Sequence, residues 1–347
     1  MERPTDKTTR LLALIRNGRP MTLAQQLSLT VRLSLPAVIA QLSAIVMQYI
    51  DAAMVGHLGA EASAAIGLVS TTTWLFWGLC AAAASGFSVQ VAHRIGAGDM
   101  RDARAVLRES LFSTLLFSLL LALIGMAISG ALPGWLGGDE SIRRNASLYF
   151  FLFALFLPAL QLNFLAGGML RCSGNMRIPS LMGVAMCVLD VVFNFFLIFP
   201  SREWVVAGIT FPIPGAGLGV GGAALGTGAA EAVVAAILLR YLWTSSAELK
   251  LRGERGRFRP RRATLRRAFR IGFPMGIEHL VICGAQIMTT VIVAPLGVFA
   301  IAANSFAITA ESLCYMPGYG IADAATVDEA EAMAKDARYA AGFLTRL

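Results

Sequence analysis

The 347-residue chain is 56% hydrophobic and only 14% charged, with a mean hydropathy of +0.67. Soluble domains carry about 25% charged residues, so an ordinary soluble globule is excluded and a polytopic membrane protein is indicated. The net charge of +8 does not point to nucleic acid: ten Lys and Arg crowd between Lys250 and Arg270, wedged between apolar stretches like the positive cytoplasmic loops of membrane proteins.

The apolar runs are long and unbroken. This favours helices over the alternating strands of an outer-membrane barrel, and the expected fold class is all-α, a polytopic membrane helical bundle. Eight spans are predicted, over about 33–56, 62–92, 107–132, 147–170, 178–200, 214–243, 271–294 and 299–322. The chain divides accordingly into an N-terminal segment (1–32), a six-helix lobe (33–243), a basic linker (244–270), a partial second lobe of two helices (271–325) and a polar tail (326–347). The first segment is polar and basic, without a cleavable signal, so the first span is expected to direct insertion.

Lys and Arg gather before the first span (Arg3, Lys7, Arg10, Arg16, Arg19, Arg32), after the second (Arg94, Arg101, Arg104, Arg108), after the fourth (Arg171, Arg177) and in the linker. The alternate loops are poor in them. The N-terminus is therefore expected on the cytoplasmic side of an inner membrane, with anionic lipid headgroups as partners of the basic run. Five scattered cysteines without a CxxC read as buried thiols. Small residues in the second span, including Ala81–Ser85, permit close helix packing.

Asp51 is the one formally charged residue between Leu33 and Gly59. An ionised carboxylate at the centre of a bilayer costs about 2.5–3.5 kcal/mol even on insertion scales, so Asp51 is a functional candidate by default. Asp190 and Asn194 share a helical face at i,i+4, as do Thr227 and Glu231, and Gln48 and Asp51 do so at i,i+3. Their carboxylate, amide and hydroxyl oxygens are hard ligands suited to Na⁺, and desolvated carboxylates are suited to carrying protons. Enzyme chemistry is not indicated: the three histidines (His57, His93, His279) are far apart, and no HExxH, GxSxG or P-loop pattern occurs.

An internal repeat is visible. Arg32–Leu42 (RLSLPAVIAQL) matches Arg270–Leu280 (RIGFPMGIEHL), and the offset of 238 also relates Pro36 to Pro274 and Leu58–Gly59 to Leu296–Gly297. Thr289 is the mate of Asp51, so the two lobes are not chemically equivalent. Parallel repeats in transporters place the substrate site between halves. Pro36 and Pro274 mark kinks or first-turn positions. After Thr326 the sequence VDEAEAMAKDARYAAGFLTRL resembles the segment GAGDMRDARAVLRESL that follows the second span, with about ten residues like VQVAHRIGAG missing at the joint. A truncated or internally deleted second lobe is expected.

Several stretches, in order, resemble the multidrug and toxic compound extrusion (MATE) family over residues 30–345: MQYIDAAMVGHLGAEASAAIG, GFSVQVAHRIGAGDMRDA, LAGGMLRCSGNMRIPSLMG, NFFLIFP, GVGGAALGT and AANSFAITAESLCYMPGYGIADAAT. The resemblance implies twelve helices in two lobes, four of them absent here, and cation-coupled antiport that exports organic cations, drugs or toxic compounds. It implies Na⁺ or H⁺ as coupling ion and no cofactor. It assigns the coupling site to Asp51, Asp190, Asn194 and Thr227, where Na⁺ can bind, with Gln48, Glu231, Glu278 and Glu311 as further candidates for cation or substrate. Glu278 is otherwise a partner for His279, and Phe150, Phe151, Phe153 and Phe156 are expected to face core or lipid. One departure is plain: the family often places Asn before Asp on the fifth helix, whereas Asp190 precedes Asn194, which moves the charge about 6 Å along the axis and leaves Na⁺ versus H⁺ open. The rival readings are a lipid-linked oligosaccharide flippase of the same superfamily, whose cavities carry basic residues, and a non-transporting membrane remnant. Oligomeric state is left open.

Overall fold

The computed structural model describes residues 22–206, 209–246, 248–252 and 258–311, with Cys314 and Gly318. The chain forms a helical membrane bundle. Helix α1 (Leu23–Gly56) opens with a capping box in which Thr22 and Gln25 exchange hydrogen bonds, so it starts upstream of the apolar run that opens at Leu33. It is followed by α2 (Ala60–Gly96), α3 (Met100–Ile128), the single turn α4 (Leu132–Trp135), α5 (Glu140–Cys172) and α6 (Arg177–Ile198). Asp99 and Asp139 cap α3 and α5 through side-chain bonds to Asp102 N and Ser141 N. The Ser141 N–H holds the exposed Asp139 carboxyl below its ordinary pKa.

An antiparallel hairpin, β1 (Pro200–Val206) and β2 (Ile209–Ala216), joins α6 to α7 (Gly219–Thr244). Sequence analysis placed only a loop there. Helix α8 (Arg262–Val293), a short 3₁₀ turn (Ala294–Leu296) and α9 (Val298–Glu311) follow. Pro36 and Pro274 fall inside helices, which excludes first-turn positions.

Among the described residues seven helices are long and apolar enough to cross a membrane, not eight. The predicted eighth span is present as the shorter apolar helix α9, and its stretch beyond Glu311 lies largely outside the described residues. So do residues 1–21, linker residues 253–257, the joint at Thr326 and the polar tail.

The repeat is carried into the backbone. Gly59 (φ 108°, ψ 171°) and Gly297 (φ 102°, ψ 173°) adopt the same conformation, one that side chains disfavour, immediately before α2 and α9. The α1–α2 corner is thus built again at α8–α9.

Helix α2 lies at the centre, packed against α5, α3 and α8, while α1 packs chiefly on α6, and α7 on both α5 and α6. One α2 stripe faces lobe two through small or short side chains. Gly67 meets Ser305, Thr71 lies 3.5 Å from Thr290, Gly78 receives the His279 ring, and Gln90 donates to the Thr264 carbonyl at 3.2 Å. A Cβ at Gly86 would stand 2.5 Å from the Ala268 carbonyl oxygen, and one at Gly272 would stand 2.8 Å from that of Ala82. Backbones approach this closely only where side chains are missing. Phe150 is fully buried in the core, edge-on to Phe76 with centroids 5.6 Å apart, and Phe153 packs beside it. Phe151 is exposed, and Phe156 lies against Gly228.

Overpacking this contact tests it. Gly86→Leu is expected to destabilise the folded chain by about 1–3 kcal/mol, read as a lower denaturation midpoint in detergent micelles. Gly56→Ala, with open space around the position, is expected to cost less than about 0.5 kcal/mol.

Candidate functional site

The packing of α1 on α6 sets Asp51 against the buried face of α6. The Asn194 amide bridges two carboxylates: its Nδ2 donates to Asp51 Oδ1 at 2.9 Å and to Asp190 Oδ2 at 3.1 Å. Asp190 and Asn194 are 0% and 1% exposed, and Asp51 is half-buried. The Thr227 hydroxyl on α7 and the Asp51 carboxyl both lie close to Asp190. The structure therefore brings together all four residues of the expected coupling site, from three helices.

Glycines allow this convergence. The Asn194 amide occupies the space where a side chain at Gly226 would stand, and Gly222 abuts the Leu197 carbonyl. The glycine-rich start of α7 is thus what lets α7 close onto α6. Gly226 was not singled out from the sequence, and its only signal there was the GVGGAALGT run.

Two acceptors at the site lack hydrogen-bond partners in the structure: Asp190 Oδ1 and Asn194 Oδ1, both buried. Buried polar atoms are nearly always satisfied, so the open Asp190 oxygen beside a second carboxylate fits a small cation or a proton, while Asn194 Oδ1 faces Gly226. The donor set is hard oxygen throughout, which suits Na⁺ and not a thiolate- or imidazole-seeking metal. Among the described residues no three His, Cys, Asp or Glu side chains converge elsewhere as a metal centre.

The other candidates are dispersed. Gln48 sits half-buried one turn before Asp51. Glu231, one turn beyond Thr227, is paired with the Asn163 amide of α5 and so belongs to a neighbouring couple within electrostatic reach of Asp190. Asn163 was missed from sequence, as was Tyr149 of α5, which lies within electrostatic reach of Asp51 and Asp190. Neither has a periodicity signal that separates it from a core polar residue. Glu278 is exposed on α8, while its neighbour His279 presses on Gly78. Glu311 lines a cavity of about 290 Å³ with Gln286, Thr289 and Asn304, and Glu278 does not join it.

A bundle of membrane-crossing helices that buries two carboxylates around a shared amide defines a multi-pass membrane protein with an internal polar site. The family profile described as MatE matches residues 36–196. A relative from Thermotoga maritima, named probable multidrug resistance protein NorM, is 26% identical over 306 residues, 85% of this chain and 61% of its own length. One of the same name from Burkholderia pseudomallei is 31% identical over 317 residues, 89% of this chain and 63% of its own. A solved structure, the outward-facing conformation of a multidrug resistance MATE family transporter of the MOP superfamily, superposes with a TM-score of 0.79 at 22% identity, over 99% of this chain and 71% of that one. The chain belongs to the MATE family. It spans less than two thirds of the length of these curated relatives, 61% and 63%.

Removing the bridging amide takes a hydrogen-bond donor from the buried Asp190 and the half-buried Asp51. Asn194→Leu is expected to cost about 1–3 kcal/mol or more in micelle denaturation. Gly226→Ala is expected to destabilise as well, against the gain of about 1 kcal/mol that Ala brings to a helix interior.

Proposed function

We propose that this chain is a cation-coupled antiporter that exchanges Na⁺ or H⁺ for organic cations, drugs or toxic compounds across the bacterial inner membrane, with its N-terminus cytoplasmic. The observation that carries this reading is the buried Asp51–Asn194–Asp190 bridge with its two unfilled acceptors. Two carboxylates out of water and joined by one amide need a counter-charge. A Na⁺ ion or a proton supplies it, and a charged drug bound elsewhere in the cavity competes for it through the field of the site.

The geometry suits a binding-linked movement. Asp51 stands on α1, whereas Asp190, Asn194 and Thr227 stand on α6 and α7. A cation held by all of them draws α1 onto α6, and its release loosens that contact. Binding energy at the site is thereby converted into a difference between two helix arrangements, which is what exchange requires. Away from the helix ends, where Arg177 and Arg240 lie, the charged side chains in the candidate spans of α1, α6 and α7 are acidic (Asp51, Asp190, Glu231), which favours cationic substrates over the anionic headgroups of a flippase cargo.

The test uses the full chain reconstituted in liposomes with ethidium as probe. Ethidium flux driven by a Na⁺ or pH gradient is expected, and Asp51→Asn is expected to abolish it. The gradient that drives flux identifies the ion. Unchanged flux in Asp51→Asn overturns the site assignment. Absence of gradient-driven flux in the unaltered chain overturns antiport by this chain.

A further inference from the structure

Three ion pairs meet where α2 ends, α3 begins and the linker enters α8. Arg261 is the N-cap residue of α8. Its Nε donates to Glu109 Oε1 at 2.6 Å, its Nη2 to Asp102 Oδ1 at 2.8 Å, and its main-chain N–H to Glu109 Oε2 at 3.3 Å. Arg94, in the last turn of α2, holds the other Asp102 oxygen. Arg104 Nε reaches the linker carbonyl of Glu248 at 2.7 Å. Beside this network Gln90 bonds the Thr264 carbonyl, and Gly86 lies against Ala268.

These contacts are not ordinary surface pairs. Glu109 is 4% exposed and Gln90 4%, while the Arg261 side chain is about half exposed. A carboxylate buried to that degree cannot be left alone cheaply. Its partner arrives from the linker that leads into lobe two, across a separation of 152 residues in the chain. The hydrogen bond to Asp102, reinforced by the charge of Glu109, holds the Arg261 guanidinium above its ordinary pKa, so the cation is permanent. Further along the same α2–α8 seam the described contacts carry no ion pair: Gly78 against His279, Thr71 against Thr290, Gly67 against Ser305. The seam is therefore charged at one end and merely close-packed along the rest.

We infer that Arg261, Asp102 and Glu109 form an ionic latch that positions the first helix of lobe two on lobe one, and that its release lets the N-terminal half of α8 leave α2 at the linker end. Arg94 belongs to the latch by presenting Asp102. Arg261 acts as a positioning residue: it touches neither the Asp51 site nor a substrate. The latch goes beyond the transport reading and does not depend on it. Apart from Gln90, which must release the Thr264 carbonyl, the α2 side of the seam carries small residues that let the helices pivot. The half-exposed guanidinium leaves the latch open to screening, since the Debye length falls from about 10 Å at 0.1 M salt to about 3 Å at 1 M.

Thiol accessibility in the full chain tests this. In a background with the native cysteines replaced, Thr264→Cys in proteoliposomes is probed with a membrane-impermeant maleimide from the linker side. Thr264 is buried, so slow labelling is expected in the intact latch. R261A and E109Q are each expected to speed labelling by about fivefold or more, the scale of typical conformational couplings. Raising salt to 1 M is expected to speed it in the intact protein and not further in R261A. A parallel variant retaining only Cys172, buried against Ala92, is expected to stay protected throughout. Labelling unchanged in both R261A and E109Q overturns the latch. So does equal deprotection of Cys172, because the substitutions would then have opened the whole bundle.

Discussion

The structure depends on how closely α2 can be approached. This helix is the most enclosed of the candidate spans, and its neighbours α3, α5 and α8 lie around it. In a bilayer no hydrophobic drive separates helix from lipid, so association rests on packing and on hydrogen bonds. Glycine and short side chains at positions 67, 71, 78, 82 and 86 of α2 supply the packing, and Gln90 supplies a hydrogen bond. Lobe two has a place to dock because this stripe carries nothing large, and the register of α8 follows from which carbonyl meets which glycine.

The polar site obeys the same rule one layer away. Asp51 is not buried for its own sake. It is tolerated because Asn194 reaches it, and Asn194 fits because Gly226 leaves room. One amide serving two carboxylates is an under-satisfied arrangement by ordinary standards of burial. Such arrangements persist where a ligand completes them. The inverted order of Asp190 and Asn194 on α6 matters less than spacing alone implies, because the amide of the second reaches back to the carboxylate of the first and forward to Asp51. The charge sits one turn earlier, but the two carboxylates still meet at one amide.

The two repeats diverge in chemistry while agreeing in backbone. Gly59 and Gly297 turn the chain identically, yet the Asp51 position becomes Thr289 in the second copy, and the carboxylate nearby is Glu311 on the following helix. Glu278 and Glu311 read alike in sequence as acids in apolar runs. Glu311 borders a cavity that Glu278 does not join, because helical phase and the direction of α9 decide which residues share a space.

The grouping of Asp51, Asp190, Asn194 and Thr227 came from the family resemblance, whereas the sequence by itself determined that the chain crosses a membrane in helices, where the apolar runs lie, that Arg32–Leu42 recurs at Arg270–Leu280, and that Asp190 shares a helical face with Asn194, and Thr227 with Glu231. Those features are local or periodic: hydropathy sums over about 20 residues, and i,i+4 spacing sets a face regardless of neighbours. The tertiary structure alone decided that α1 packs on α6 and not mainly on α2, that a β-hairpin closes residues 200–216, that Asn163 claims Glu231, and that Arg261 of the linker is gripped by Asp102 and Glu109. These are relations between segments far apart in the chain. They turn on side-chain volume and on the hydrogen-bond demands of groups shut away from water, and neither quantity is written in the neighbourhood of a single residue.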